Sequence, residues 1–386
     1  MSIDALFERI KAREEEMISF LIDICNIESP TADKVGVDEV GKRICEIAAA
    51  MGWRIEYHRE TRAGDVISIT MNEGAEGAPV VFSGHIDTVH PKGLFGYPPA
   101  KREITEEADI IRGPGVCDCK GGVVGALLAM LALSDVGFTF RPVKLLLQTD
   151  EEVSSLISEK RTVEYMAECS RGAIAFLNTE PCKGGMLTLT RKGIIRFRFE
   201  ITGKAVHSSL CFAGASAISE AAHKIIELER LKDKDGITCN CGVINGGTVP
   251  NTVAERCTFL ADFRYSDDDE LFEVLKIARR VADTSYVDGT ECALHELSRR
   301  VSMPYCEKNA LLAEKIADIF ARAALPEMQF VASRGGSDAA DMTAHGIPTI
   351  DSFGVRGAYI HSPKEYAHTA SVGESARMLA AIAYLI

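Results

Sequence analysis

Three apolar runs in this chain end in side chains suited to holding a cation. Val80-Val81-Phe82 leads into Ser83-Gly84-His85-Ile86-Asp87, and Leu145-Leu146-Leu147 into Gln148-Thr149-Asp150-Glu151-Glu152. Ala175-Phe176-Leu177 leads into Asn178-Thr179-Glu180. Short apolar runs closed by polar or turn-forming residues read as buried strands. Open parallel sheets bind ligands beyond the carboxyl ends of their strands. The three exits would therefore bring His and carboxylate groups to one edge, where they repel each other unless a cation is bound. Metal binding, with acid–base groups beside it, is the chemistry this pattern predicts.

Spacing separates the roles. His85 and Asp87 share a face if the strand continues, and a metal-binding His is usually held through its second ring nitrogen by a carboxylate. Asp87 suits that partner role, with direct ligation as the alternative. Glu151 and Glu152 are adjacent, so an extended backbone would point them apart, one toward a metal and one toward a water as general base. Gly113-Pro114-Gly115-Val116-Cys117-Asp118-Cys119-Lys120-Gly121-Gly122 opens a helix. Asp118 alone would read as its N-cap; beside the other clusters it reads as a carboxylate bridging two ions. His361, in Tyr359-Ile360-His361-Ser362-Pro363, carries little weight taken alone.

The elements that must position these groups alternate between strand and helix in the first half. Gly121 to Leu133 is helical by its Ala and Leu content, and Leu6, Ile10, Met17, Ile18 and Leu21 mark one face of an N-terminal helix. This is an α/β domain with a mostly parallel sheet. From Leu187 the pattern changes to apolar–polar alternation, as in Ile195-Arg196-Phe197-Arg198-Phe199-Glu200 and again from Cys257 to Tyr265, with helices at Ala215 to Glu229 and Asp269 to Ala282. After Met303-Pro304 the first style resumes, ending in a helix that reaches Ile386. The expected organisation is a catalytic domain of residues 1–188 and 302–386, interrupted by a smaller α+β domain of residues 189–301.

Composition narrows the classes. The 386 residues exceed what one core usually serves, and a formal charge of −13 with no basic cluster argues against nucleic acid as a partner. No apolar run is long enough to span a bilayer, and the charged N-terminus lacks a signal-peptide core. A cytoplasmic protein is the simplest expectation. The 12 cysteines include the pairs Cys117/Cys119 and Cys239/Cys241, without zinc-ribbon spacing, and are read as reduced structural residues.

Ser83-Gly84-His85-Ile86-Asp87-Thr88-Val89, the Asp118-Cys119-Lys120-Gly121-Gly122 loop, Thr149-Asp150-Glu151-Glu152 and the distal His361 together resemble the M20 family of metallopeptidases. The resemblance runs from about Leu6 to Ile386. It implies that His85 and Glu180 hold one divalent ion, that Glu152 and His361 hold the other, and that Asp118 bridges them. It also implies Glu151 as general base and Asp87 as the group orienting His85. In the inserted domain, Gly203-Lys204-Ala205-Val206-His207-Ser208 resembles the family segment whose His steadies the oxyanion in the partner subunit, so a homodimer is expected. Asn251 in Gly246-Gly247-Thr248-Val249-Pro250-Asn251, Arg264 in Ala261-Asp262-Phe263-Arg264, and Gly336 and Ser337 in the Gly-rich run match substrate-binding positions. Each of these has a plainer reading. His207 would be a surface residue, Asn251 a turn former, Arg264 the cross-strand partner of a carboxylate, and Gly335-Gly336 a tight turn with Ser337 as helix cap.

The activity so implied is amide hydrolysis with two ions; zinc suits the donor set, and manganese or cobalt also fits. In the family, Glu at the position of Glu180 accompanies carboxypeptidases and deacylases, and the C-terminal run looks most like glutamate carboxypeptidases. Release of a C-terminal amino acid from a small peptide, or cleavage of an N-acyl amino acid, is the expected reaction. A tripeptidase is the nearest rival. A metal-free binding protein would lack a ligand or the base, and a cysteine hydrolase would respond to alkylation but not to chelators.

Overall fold

In the computed structural model, which describes residues 2–386, the chain divides into two compact units. One runs through Leu189 and takes in Tyr305–Ala332 and Ser337–Ile386; the other is Thr190–Pro304 with Ser333–Gly336.

The first unit is built on a six-stranded sheet. Its order is Arg54–His58, Val66–Met71, Val143–Gln148, Val80–His85, Ala175–Asn178, Thr349–Ile350. The last four are mutually parallel, whereas the first two pair antiparallel at one edge. Val80–His85 and Val143–Gln148 are in register down to His85 opposite Gln148. The exits carrying His85, Glu151 and Glu180 therefore leave neighbouring strands in the same direction, as the sequence pattern requires. The fourth parallel strand exits in the same sense, at Asp351.

Helix Lys120–Asp135 is buried along almost its whole length and lacks a polar face, the mark of an internal helix. It packs between Ile3–Cys25 and Ala370–Leu385, and Leu127, Leu128 and Leu131 join the core with Leu21, Leu379 and Ile382. Its start depends on glycine. A Cβ on Gly122 would lie 2.1 Å from the carbonyl oxygen of Thr179, and one on Gly354 2.2 Å from the same atom. Helix propensity alone would favour alanine at position 122 by about 1 kcal/mol. Overpacking costs about 1–3 kcal/mol, and a backbone carbonyl cannot swing aside as a side chain can. Gly122→Ala is expected to lower the unfolding free energy in urea; a gain in stability would show that the strand exit yields freely.

A smaller four-stranded sheet, in the order Gly357–Ala358, Tyr366–His368, Asp109–Arg112, Lys101–Ile104, also belongs to this unit. Ala358 pairs with Tyr366, so the segment 359–365 that carries His361 is the turn between two of its strands.

The second unit is a four-stranded antiparallel sheet, Thr238–Gly246, Arg256–Tyr265, Gly193–Thr202, Glu291–Arg300, with helices Ala217–Leu228 and Asp268–Asp283 on one face. Alternation does what it predicts: Ile195, Phe197, Phe199 and Ile201 are buried with Phe259 and Phe263 against the helices, while Arg196, Arg198 and Glu200 point away. Thr238–Gly246 is an edge strand, with Val243 and Ile244 about half exposed.

Candidate metal centre

At the carboxyl edge of the parallel strands, Asp118 lies between two imidazoles. Its Oδ1 is 3.0 Å from His85 Nε2, and its Oδ2 is 3.1 Å from His361 Nε2. Beyond His85 comes Glu180, 3.7 Å from the same nitrogen; beyond His361 comes Glu152, at 3.2 Å. The five expected ligands thus form one continuous chain with Asp118 at its middle. Asp118 does not cap the helix it precedes; Cys119 occupies the N-cap position, and the Asp118–Cys119 peptide is cis.

Asp87 is wholly buried and organises this edge. Its Oδ1 is 3.3 Å from His85 Nδ1, and its backbone carbonyl lies 3.1 Å from the same nitrogen. Its carboxylate also accepts the Thr31 hydroxyl at 2.8 Å and the backbone N–H groups of Glu151 and Glu152, each at 3.3 Å. Those last two bonds correct the sequence expectation of an extended Glu151-Glu152 pair. Glu151–Val153 is instead a single 3-10 turn, because the buried Asp87 carboxylate captures the N–H groups that a strand would spend on a neighbour. Glu152 is further held by the Val89 N–H, 3.2 Å from its Oε1.

The electrostatics are those of a site short of positive charge. Burial pushes Glu152 up to about 7 against the opposing pull of His361, and the negative charges of Asp118 and Glu151 add to the rise. Glu180 is driven well above the usual carboxylate range by burial, then by Asp118 and Glu151. Asp118 goes the other way: burial alone would raise it, but hydrogen bonds from His361 and His85 hold it below the ordinary value. His361 is raised to about 10 by its bonds to Asp118 and Glu152. Burial would lower His85, but its bonds to Asp118 and Asp87 raise it well above the ordinary imidazole value, so protons on both imidazoles and among the acids stand in for charge that a cation would supply.

The donor set fits divalent ions. Atoms sharing one tetrahedral ion at about 2.0–2.2 Å stand about 3.3–3.6 Å apart, close to the separations along this chain. Candidate ligand groups are His85 with Asp118 and Glu152, and His85 with Cys119 and Glu180. Cys119 was read from sequence as structural, and its geometry agrees: the buried thiol donates to the Thr179 carbonyl at 2.9 Å, and burial raises its pKa well above normal, away from the thiolate a metal needs. Because an ion takes the neutral imidazole, metal uptake near neutral pH must expel the proton that His361 keeps below about 10. Affinity of the metal-free protein is expected to climb as pH rises toward that value. Calorimetric titration in two buffers of different protonation enthalpy reads the released proton; identical heats would contradict it.

The residues expected to meet substrate lie in the second unit or at its border. His207 is exposed at the start of a 3-10 segment, its Nδ1 2.8 Å from the Ser209 hydroxyl. Asn251 is exposed, and its carbonyl accepts the Ser208 N–H at 2.9 Å, which ties the two segments together. Arg264 donates through Nε to Asp262, two residues back on its own strand, at 2.8 Å; Asp262 is shared with Arg196 across the sheet at 2.7 Å. The carboxylate partner is therefore a same-strand neighbour. Ser337 is fully buried and caps helix Asp338–Ala344, accepting from the Ala339 N–H while bonding to Asp351. Its plainer reading as a cap describes its contacts, and Gly336 packs against Arg300.

The profile of peptidase family M20/M25/M40 matches residues 81–385. Carboxypeptidase G2 of Pseudomonas sp. (strain RS-16) is 26% identical over 378 residues, covering 96% of this chain and 89% of that protein. A probable succinyl-diaminopimelate desuccinylase of Staphylococcus aureus (strain MRSA252) is 26% identical over 285 residues, which is 64% of this chain and 66% of the relative. Among solved structures, a tripeptidase from Staphylococcus aureus subsp. aureus superposes with a TM-score of 0.80 at 19% identity, over 96% of this chain and 98% of that one. That last likeness concerns the fold. The chain belongs to peptidase family M20/M25/M40. It is a hydrolase of amide bonds of the metallopeptidase kind. Among the described residues no helix is long and apolar enough to cross a membrane.

Proposed function

We propose that this chain is a two-ion hydrolase, with zinc the best-suited metal, that releases a C-terminal amino acid from a small peptide or from an N-acyl amino acid. The observation that carries the reading is the Asp118 carboxylate, one oxygen toward His85 and the other toward His361, with Glu180 and Glu152 at the far ends. His85, Glu180 and Asp118 would hold one ion, and Glu152, His361 and Asp118 the other. Ions bound there supply Lewis-acid polarisation of the scissile carbonyl and lower the pKa of a water. Glu151, placed by the Asp87-held turn, takes the proton from the attacking water and returns it to the leaving amine. Asp87 holds His85 at Nδ1, which would leave Nε2 as the atom available to a metal.

In this reading residues 189–301 form a lid and dimerisation domain, and His207 of a second copy steadies the tetrahedral oxyanion. The half-exposed edge strand bearing Val243 and Ile244 supports a homodimer, because an unpaired apolar edge is a template for another chain. Asn251 and Arg264, with the backbone at Gly336 and Ser337, would receive the substrate, the Arg264 guanidinium facing its carboxylate once Asp262 is shared or displaced. The free cysteines suit a reducing cytoplasm.

Carboxypeptidase G2 spans nearly the whole chain, which favours release of a C-terminal residue over the tripeptidase reaction. The test is a screen of N-acyl amino acids, N-acyl dipeptides and free tripeptides on metal-reconstituted protein, with and without chelator. Cleavage of N-acylated substrates, lost on chelation, is expected. Activity confined to free tripeptides would favour the aminopeptidase, and activity blocked by thiol alkylation but indifferent to chelator would sink the metal mechanism.

A further inference from the structure

The small sheet brings an unexpected carboxylate to the metal centre. Tyr366 pairs with Ala358 on one side and with Arg112 on the other. The turn bearing His361 therefore ends, at Glu365, beside the loop that follows Arg112 and leads to Asp118. Glu365 is wholly buried. Its Oε1 accepts the backbone N–H of Cys117 at 2.9 Å and of Asp118 at 3.0 Å. Its Oε2 lies 2.7 Å from His90 Nε2, with the Gly115 N–H farther off at 3.4 Å. His90 is buried too, on the segment that leaves His85 and Asp87, with Phe95 edge-on to its ring. One carboxylate thus ties together the three segments that carry His85, Asp118 and His361.

We propose that Glu365 is a positioning residue of the two-ion centre, holding the Asp118 backbone so that its oxygens stay aimed at the His85 and His361 sides, with His90 the donor that orients Glu365. The inference rests on the two-ion reading above. Geometry supplies the reason: Asp118 sits at the head of a helix without a side-chain cap, so rotation of its peptide would carry both oxygens off their partners together. The N–H groups that would otherwise be free to turn are fastened by Glu365. A loop anchor with no bearing on metal would contribute stability alone.

The test uses the full chain stripped of metal and titrated with Co2+, following affinity, the visible ligand-field spectrum and the thermal melt of the metal-free protein. Glu365→Gln keeps an oxygen for the Cys117 and Asp118 N–H groups, and His90 in its other tautomer can accept the new amide N–H through Nε2, so affinity and spectrum should stay close to wild type. Glu365→Ala should lose about 10–100-fold in Co2+ affinity, the range seen for groups that hold a ligand in place, with an altered spectrum. His90→Phe, which retains the ring but removes the donor, should move the same way, and His90→Gln, with a donor at similar reach, should recover. Wild-type affinity and spectrum in Glu365→Ala, or in His90→Phe if the first variant does not fold, would overturn the proposal whatever the melt does. Failure of the wild type itself to take up Co2+ would bring down the two-ion reading and this inference with it.

Discussion

Turnover by a Glu151→Ala variant should fall about 10²–10⁴-fold, the range associated with a positioned general base, while its metal content stays at the wild-type level. The reason is the division of labour within the Glu151–Val153 turn. Glu152 contacts His361 at 3.2 Å and stands at one end of the chain of proposed ligands, whereas Glu151 is held through its backbone by Asp87 and is proposed as the base. Removing its side chain deletes a proton carrier without opening the coordination shell. Elemental analysis and steady-state kinetics on the same preparation decide it. Retained turnover would remove Glu151 from the mechanism, and loss of an ion would make it a ligand.

Asp118→Asn should do the reverse. The amide offers one oxygen where two are needed, and its nitrogen would be presented to an imidazole or an ion as a repelling donor. Its distances to His85 and His361, 3.0 and 3.1 Å, place the side chain between both halves of the site. Affinity for both ions should therefore drop by more than about 100-fold, beyond the span expected for a supporting group, and activity should vanish with it. Calorimetric titration of the metal-free variant measures the loss. A variant that still bound two ions tightly would show that Asp118 is not shared. Chelation of the wild type should abolish turnover and added zinc restore it, so the two variants separate loss of base from loss of metal.

Much of the centre was legible in the chain because buried parallel strands are continuous apolar runs whose ends stand out. Val80–His85 ends on an ionisable residue, and Val143–Gln148 and Ala175–Asn178 each reach one two positions beyond their ends, at Asp150 and Glu180. The antiparallel pair Arg54–His58 and Val66–Met71 was not read: the first is short and polar, and the second mixes Ser68 and Thr70 with its apolar residues although all are buried. Nor were helices Lys34–Ala50 and Arg161–Cys169 or the small sheet, whose two-residue and four-residue strands leave no period to detect. His361 looked uninformative because its neighbourhood is made by strand pairing far along the chain. The same pairing hid Glu365, which a sequence pattern shows only as one acid among many.

The cluster at the carboxyl edge is thus divided between two levels. The chain alone determined which residue types arrive there: His85 with Asp87, Glu151 with Glu152, Glu180, and Asp118 before its glycine pair. Charge repulsion pointed to a cation, since that argument needs only their convergence. Tertiary structure decided which atoms face each other. It set Asp118 between His85 and His361 rather than at the helix cap, folded Glu151 and Glu152 into a turn around Asp87, and gave Ser337 to Asp351. Those outcomes depend on hydrogen bonds between residues distant in sequence, formed only once burial has left each carboxylate with no water to bond.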